Sequence, residues 1–426
     1  MMHSDDRPRI GASRGYRLYV LAALVLVYTF NFIDRQIVGI LAVPIKSELA
    51  LSDMQLGLMG GLAFALFYTF LGIPIARLAD RGSRIWIMTG ALALWSAMTL
   101  GCGTAQGFWA LLAFRVGVGV GEAGGVAPAY SLICDYFPRT QRARALSVYS
   151  FGIPIGSAIG LVAGGALSTR IGWRAAFFVV GGAGLLLAPL FRLTVREPVR
   201  GALDALPAAG GHPGIGEVLR VLWRKPSFWT LAFGAASAST MGYGLFFWMP
   251  SFLVRSFDLP VYQASLLFGA LVLVGGLIGI WLGGVFADRY GARHKAAYAA
   301  IPALAFAATL PLYFVAFTST TLWPTMLILL LPTALGLAWL GPVLSAVQHL
   351  VPARMRATAS ALFLFINNLL GLGIGTVLIG ALSDTLRVRL GAESLRYAIL
   401  AGTGFYLLAA VFLVFAARRL ERDWHR

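Results

Sequence analysis

The chain has 426 residues, of which 59% are hydrophobic and only 12% are charged. Soluble domains are about half apolar and about a quarter charged, so this composition excludes an ordinary soluble domain and favours a membrane protein. The formal net charge of +17 raises nucleic-acid binding as an alternative, which depends on where the charges lie.

Apolar stretches long enough to cross a bilayer recur along the whole chain, since a hydrocarbon core of about 30 Å needs about 20 apolar residues in a helix. They predict twelve transmembrane helices, at about 17–45, 54–79, 85–106, 108–136, 143–168, 174–192, 227–254, 261–287, 295–317, 322–351, 357–384 and 396–417.

The basic residues are distributed unequally between the two sides of these helices. Most of the 34 lysines and arginines fall at the termini and in the even-numbered loops. The opposite side holds only Lys46, Arg170, Arg174, Arg255, Arg387, Arg389 and Arg396. By the positive-inside rule, we expect an integral plasma (inner) membrane protein with both termini cytoplasmic. The basic charge then reflects topology, and we expect no nucleic-acid partner.

Predicted helices 1 and 4 carry charges in an apolar setting. Asp34 and Arg35 lie in "NFIDRQIVGIL", and Arg115 and Glu122 share one face of helix 4. Ionisable residues inside membrane spans are rare and functional by default. In the functional hypothesis, Glu122 and Asp34 each bind and release a proton during transport. Arg35 and Arg115 then bind an anionic substrate. The alternative is a set of fixed salt bridges between helices 1 and 4.

Charged residues also flank the cytoplasmic ends of helices 2 and 8. We expect them to form a gate whose ion pairs close the inner side and break as it opens. The alternative is that they only end the helices and fix topology. The residues are Asp80, Arg81, Arg84, Asp288, Arg289 and Arg293.

The central loop combines a flexible stretch, 206–214, with an amphipathic segment, 215–225. The segment predicts a short helix on the inner membrane surface, ending before Pro226. The alternative is an ordinary linker with no regulatory part. Its apolar positions are Ile215, Val218, Leu219, Leu222 and Trp223, and its polar face carries Glu217, Arg220 and Arg224.

The second half has no buried charge that would balance the first. Its candidate substrate-binding residues are Tyr243 on helix 7 and Asn367 and Asn368 on helix 11, with aromatic residues nearby. A cavity that is charged on one side and aromatic on the other suits an amphiphile with an anionic head. The two cysteines match no disulfide framework or metal spacing, and no catalytic motif is present, so we expect no cofactor, no metal and no enzyme activity.

The two halves of the chain repeat one another. Several residues match at one constant separation: Pro128 and Pro342, Ser131 and Ser345, Pro138 and Pro352, Arg142 and Arg356. Two six-helix halves joined by a cytoplasmic loop form the architecture of a secondary transporter. The expected domains are an N-terminal six-helix bundle (1–193), a cytoplasmic linker with a short amphipathic helix (194–226) and a C-terminal six-helix bundle (227–426).

Four motifs carry a family resemblance. "GGVFADRYGARHK" resembles the cytoplasmic loop signature of the major facilitator superfamily, and "ARLADRGSR" is a shortened version of it. "FRVGVGVGEAGG" and "GIPIGSAIGLVAGG" resemble two further signatures. Within the superfamily, "NFIDRQIVGIL" followed by "VGVGVGEA" is similar to the Spinster family, which includes lysophospholipid and sphingosine-phosphate transporters. The resemblance implies an all-α fold of two pseudo-symmetric six-helix bundles, in which helices 1 and 4 line a central cavity and their charges converge.

These observations predict a secondary active transporter that works by alternating access. We expect it to be a monomer, coupled to protons, with an amphipathic anionic substrate such as a lysophospholipid or a sphingoid phosphate. One alternative is a multidrug or organic-anion/proton antiporter. An alternative of another class is a lipid-binding membrane receptor that does not transport.

Overall fold

The computed structural model describes residues 13–199, 215–291, 293–352 and 355–424. These residues form α-helices and no strand, which confirms the predicted all-α class. A π-helical turn lies at Leu58–Leu62 and a 3₁₀ turn at Gly391–Glu393. The α-helices, numbered α1 to α18 in chain order, are Arg14–Ile40, Ala42–Leu49, Asp53–Gly57, Ala63–Arg81, Arg84–Cys102, Phe108–Glu122, Val126–Tyr136, Arg139–Ser150, Gly152–Thr194, Ile215–Trp223, Pro226–Phe257, Val261–Gly291, Ala297–Thr318, Leu322–Leu337, Leu340–His349, Arg356–Leu390, Ser394–Gly402 and Gly404–Asp423.

Nine stretches of the described chain are long and apolar enough to cross a membrane. Two of them hold two membrane-length segments each, because Val148–Thr194 turns at Gly172 and Thr358–Asp423 turns at Gly391. Both glycines have a positive φ, 83° and 55°, a conformation that a side chain disfavours. The nine stretches therefore contain eleven membrane-length segments, and α11 is the twelfth, so the described chain matches the twelve predicted segments.

Predicted helices 2 and 4 are interrupted where they pass the charged residues. Helix 2 consists of α3, the π-turn and α4, and helix 4 consists of α6 and α7. The break in helix 4 follows Glu122 directly and contains Gly124 and Gly125. π-Turns inside α-helices occur often at functional sites, and here the turn supplies a backbone carbonyl to Arg115.

The two halves of the chain meet most closely where α3 and the π-turn pack on α16. A Cβ atom on Gly57 would lie 2.3 Å from the carbonyl oxygen of Thr376, and one on Gly380 would lie 2.4 Å from that of Asp53. Only glycine permits this approach of two backbones. Other contacts between the halves join α1 to α11 and α9 to α12. The halves are therefore sealed together at the end that contains Asp53.

The helix predicted in the central loop is confirmed as α10, while 206–214 lies outside the described residues. Val218 and Leu222 are fully buried against the core of the second half. Leu219 and Trp223, which were assigned to the same apolar face, are exposed. The face that packs on the protein is therefore narrower than predicted, and the position of α10 on a membrane surface stays a prediction.

Candidate functional site

An ion pair between the first and fourth predicted helices lies at the centre of the first half. The guanidinium Nε of Arg35 on α1 donates to Oε2 of Glu122 on α6 at 2.7 Å. Glu122 is fully buried, and the Arg35 side chain is 13% exposed. Glu122 is also the last residue of α6, where the negative end of the helix dipole disfavours a carboxylate. Arg35 supplies the positive charge that this position requires.

Asp34 and Arg115 complete the predicted cluster of four charges, and both are 1% exposed. Thr99 and Trp95 of α5 lie against the Asp34 carboxyl group, which also interacts electrostatically with Glu122 and Arg115. Arg115 Nε donates to the carbonyl of Met59 in the π-turn at 3.4 Å. The cluster holds two acids and two bases, so its formal charges cancel.

The cluster also contains buried polar atoms that have no hydrogen-bond partner among the described residues. They include one carboxylate oxygen on each acid and one terminal guanidinium nitrogen on each arginine: Asp34 Oδ1, Glu122 Oε1, Arg35 Nη2 and Arg115 Nη1. A buried polar atom without a partner costs about 1–3 kcal/mol. These atoms can accept or donate further hydrogen bonds to water, a ligand or a proton, so the arrangement is compatible with a binding site.

Aromatic rings enclose the Arg35 guanidinium. Its Cζ atom lies 5.0 Å from the centroid of Phe32, 4.9 Å from that of Phe64 and 4.8 Å from that of Tyr68. The same Phe64 ring lies 5.8 Å from Cζ of Arg115. Cation–π attraction therefore holds both guanidinium groups toward one ring between them.

A small cavity joins the two arginines to the second half. Arg35 and Arg115 line it from the first half, and the aromatic side chains Tyr243, Phe246 and Phe247 line it from the second. Water-sized molecules have about 50 Å³ of space in it, which is room for a few waters. The structure therefore brings three predicted substrate residues, Arg35, Arg115 and Tyr243, to one cavity between the halves.

The two asparagines predicted to bind substrate lie elsewhere. The side-chain oxygen of Asn367 accepts a hydrogen bond of 2.8 Å from Ser239 Oγ, and both residues belong to the second half. Asn368 is half-buried. Neither residue is among those that line the cavity.

The sealed end carries an ionic cluster that sequence reasoning missed. Asp53, at the start of α3, accepts two hydrogen bonds of 2.7 Å from the Arg255 guanidinium on α11. Its carboxylate also accepts from Lys46 Nζ at 2.5 Å and from Ser383 Oγ at 2.7 Å. We call the set Lys46, Asp53, Arg255, Ser383 and Asp384 the latch. It joins the two halves, because Arg255 and the two α16 residues face Asp53 and Lys46 of the first half.

Asp384 completes the latch by capping α3. Its carboxylate oxygens accept from the backbone N–H groups of Asp53 at 2.9 Å and Met54 at 2.7 Å. Two acids and two bases again cancel in charge. Burial lowers the pKa of the Lys46 ammonium group, although the hydrogen bond and the charge of Asp53 oppose this effect. Arg255 donates two hydrogen bonds to Asp53 and Lys46 donates one. The motif "SDMQ" forms a capping box through Ser52 and Gln55, which marks the start of α3 but not the ionic partners of Asp53.

At the opposite end, Arg84 of the predicted gate is bound within the first half. Its guanidinium donates to Glu197 Oε1 at 2.6 Å, to Ser131 Oγ at 2.8 Å and to the Asp135 carboxylate. Burial acts to raise the pKa of the Glu197 carboxyl group. Hydrogen bonds from Ile85 N–H, Arg84 and Ser83 outweigh burial and hold that pKa below its usual range.

Arg84 forms no hydrogen bond or ion pair with the other predicted gate residues whose side chains the structure describes. Arg81, Arg289 and Arg293 are exposed. The side chains of Asp80 and Asp288 lie outside the described part of the structure. The expectation that these residues form a gate stays a prediction.

Comparisons with known proteins agree with this architecture. Residues 24–376 match the family model described as the Major Facilitator Superfamily. An "MFS-type efflux pump" of Mycolicibacterium smegmatis is 35% identical, over 99% of this chain and 96% of that protein. Protein spinster homolog 1 of Mus musculus is 31% identical, over 88% of this chain and 75% of that protein.

A solved structure shows the same fold. The crystal structure of a bacterial homolog of the human lysosomal transporter Spinster, in an inward-facing and unoccupied conformation, is 34% identical to this chain. The two superpose with a TM-score of 0.89 over 97% of this chain and 100% of that one. The expected fold, the Spinster resemblance and the expected absence of enzyme activity are confirmed by these relatives. The chain belongs to the major facilitator superfamily and is a membrane transporter related to the Spinster proteins.

Proposed function

We propose that this transporter couples the movement of an amphipathic anionic substrate, such as a lysophospholipid or a sphingoid phosphate, to the movement of protons. The observation that carries the proposal is the position of Arg35. Its Nε atom binds the buried Glu122 carboxylate, its Nη2 atom has no partner in the described chain, and the residue lines the cavity between the halves.

Competition for the Arg35 guanidinium would couple the two ligands. A phosphate that binds Arg35 in a bidentate manner withdraws the positive charge from Glu122. A buried carboxylate without a counter-charge is costly, so Glu122 then takes up a proton. Asp34 is the second proton carrier, and Arg115 is the second group that binds the anion. Substrate and proton thus bind together, and their charges cancel during transport.

The alternating-access part of the proposal rests on the difference between the two ends. If the termini are cytoplasmic, as the positive-inside rule predicts, the latch would lie on the outer side and the sealed conformation would be inward-facing. The bacterial Spinster homolog was solved in an inward-facing conformation. The predicted bundles, 1–193 and 227–426, would rock about the cavity, with 194–226 as the linker. The gate from Asp80 to Arg84 and from Asp288 to Arg293 would then close the inner side when the latch opens.

Proton-driven export of organic molecules is the second candidate. It is favoured by the 35% identity to a protein named an efflux pump. The same charged cluster would bind both ligands, but protons and substrate would occupy it in turn and move in opposite directions. The direction of the pH gradient that drives accumulation therefore separates this candidate from the first.

Transport by the purified full-length protein in proteoliposomes tests the proposal. We expect radiolabelled lysophosphatidylglycerol to accumulate only when a pH gradient is imposed. Loss of a hydrogen bond to a charged group costs about 1.5–3 kcal/mol, so Arg35→Ala should weaken uptake of this anion by at least about tenfold. Neutral amphiphiles should be affected much less.

Arg174→Ala is the matched control, because Arg174 pairs with Glu48 inside the first half, away from the cavity. Equal loss of anionic and neutral substrates in Arg35→Ala would show that the arginine only holds the fold. Binding of lysolipid without any uptake would point to the receptor alternative instead.

A further inference from the structure

The linker helix α10 is fixed to the second half by a set of hydrogen bonds at its end. Lys225 Nζ donates to the backbone carbonyls of Leu350 and Asp423, each at 2.6 Å. The Asp423 carboxylate accepts from the N–H of Ser227 at 3.0 Å and from its hydroxyl at 2.7 Å. With Val218 and Leu222 buried beneath it, α10 has a defined position beside the end of α18.

A groove between α10 and α18 is lined mainly by cationic side chains. Its lining consists of Arg220, Val221, Arg224, Lys225, Arg422 and Asp423, and its volume is about 410 Å³. The Asp423 carboxylate already accepts hydrogen bonds from Ser227, and Lys225 already donates to two backbone carbonyls. Three guanidinium groups are left to face the groove, and we call this surface, made by Arg220, Arg224 and Arg422, the basic groove.

The three arginines are available for a ligand. Arg220 and Arg224 are exposed and form no ion pair with any residue that the structure describes. The Arg422 side chain is 82% exposed, and its Nε lies 3.8 Å from Asp423 Oδ1, too far for a hydrogen bond. Arg422 keeps only a long, exposed ion pair with Asp423, so the three guanidinium groups on this concave surface match the charge and the oxygen atoms of a phosphate.

Exposed apolar side chains stand on the same helix. Trp223 is 74% exposed and Leu219 is 38% exposed. The Trp223 ring meets that of Trp229, in the first turn of α11, edge to face at 5.4 Å between centroids. Tryptophan favours the boundary between headgroups and acyl chains, and arginines beside it favour anionic headgroups.

We infer that the basic groove binds the phosphate of an anionic phospholipid of the surrounding leaflet, while Trp223 and Leu219 contact its acyl chains. This site is separate from the transport cavity, since none of its residues lines that cavity. The bound lipid would tie the linker, and with it the second half, to the membrane surface.

Lipid titration of the purified full-length protein, followed by native mass spectrometry, tests the inference. Dioleoyl phosphatidylglycerol should bind more tightly than dioleoyl phosphatidylcholine. Each arginine near an anionic lipid contributes about fivefold in affinity, so Arg220→Gln, Arg224→Gln and Arg422→Gln together should weaken phosphatidylglycerol binding on the order of 100-fold. If that triple variant does not elute as a folded protein, Arg224→Gln alone should show about a fivefold loss.

The matched control replaces three exposed arginines outside the groove, by Arg14→Gln, Arg387→Gln and Arg389→Gln, and should leave phosphatidylglycerol affinity unchanged. Equal affinity for the two lipids, or an equal loss of phosphatidylglycerol affinity in the control variant, would refute the proposed lipid site. Millimolar inorganic phosphate separates a lipid from a free anion. If phosphate displaces the lipid completely and Trp223→Ala has no effect on lipid affinity, the groove is a phosphate site and the lipid assignment is wrong.

Discussion

Replacing Asp53 with asparagine should open the end of the transporter that the latch closes. Asparagine keeps the shape of the side chain but removes the charge that Arg255 and Lys46 both bind. Asp53 is 1% exposed, whereas the Arg255 and Lys46 side chains are 17% and 15% exposed. Water can therefore partly hydrate these two bases once the charge of Asp53 is removed. Removing one partner of a buried pair costs about 3–5 kcal/mol, so we take about 3 kcal/mol as the destabilisation of the sealed state.

That free energy changes the ratio of sealed to open conformations on the order of 100-fold, because about 1.4 kcal/mol corresponds to a factor of ten. Double electron–electron resonance measures this ratio. Spin labels at Ser47 on α2 and Val388 on α16 would report on the two halves, since both residues are exposed at the sealed end. The native Cys102 and Cys134 would first be replaced by alanine.

The wild type should show one short distance between the labels, and Asp53→Asn should add a longer distance that holds a large share of the molecules. Glu48→Gln is the control, because Glu48 pairs with Arg174 at the same end but inside the first half. Identical distance distributions for Asp53→Asn and the wild type would refute the assignment of the latch. An opening of equal size in Glu48→Gln would show that any charge lost from this end has the same effect.

Two further predictions concern the cavity and the packing of the halves. Glu122→Gln should abolish accumulation driven by a pH gradient while exchange of substrate across proteoliposomes continues, because glutamine cannot carry the proton; unchanged accumulation would contradict the role of Glu122. Gly57→Ala should weaken the sealed state, since its Cβ would lie 2.3 Å from the Thr376 carbonyl oxygen. The spin-label pair described above would measure this opening, and Gly72→Ala, where nothing lies within 4 Å of the added Cβ, should have no effect.

The charged cluster could be predicted from the sequence because its members stand out there. Asp34, Arg35, Arg115 and Glu122 lie inside apolar spans, where charge is rare, so each drew attention without any knowledge of the fold. The pairing of Arg35 with Glu122 then follows from the packing of α1 against α6 in the first half. The unpartnered atoms of the cluster could not be predicted, because they depend on distances that spacing along a helix does not define.

The latch could not be predicted by the same reasoning. Asp53, Lys46 and Arg255 lie at helix ends, where charged residues are ordinary because water is expected there. Their importance comes from burial between the halves, and Arg255 is 202 positions from Asp53 along the chain. The internal repeat does not predict the latch, because two surfaces that bind each other must be complementary rather than similar.

Helix α11 connects the cavity to the latch through adjacent side chains. Phe247 lines the cavity and packs so closely on the first half that a Cβ on Gly60 would lie 2.0 Å from its ring. The next residue, Trp248, donates from Nε1 to the Thr376 carbonyl at 2.8 Å, and its ring lies 6.0 Å from the Arg255 guanidinium.

A lipid-sized substrate cannot fit the cavity as it stands, because water-sized molecules have only about 50 Å³ of space there. The ring of Phe247 packs on the surface formed by Gly39 and Gly60 and belongs to the helix that carries Arg255, so in the proposed mechanism a lipid substrate would displace this ring. In the proposed mechanism, movement of that helix would disturb the contact of Trp248 with α16 and the position of Arg255 at Asp53. Binding in the cavity and opening of the latch would then act through the same helix, which is the physical requirement for a ligand to change which end of the transporter is closed.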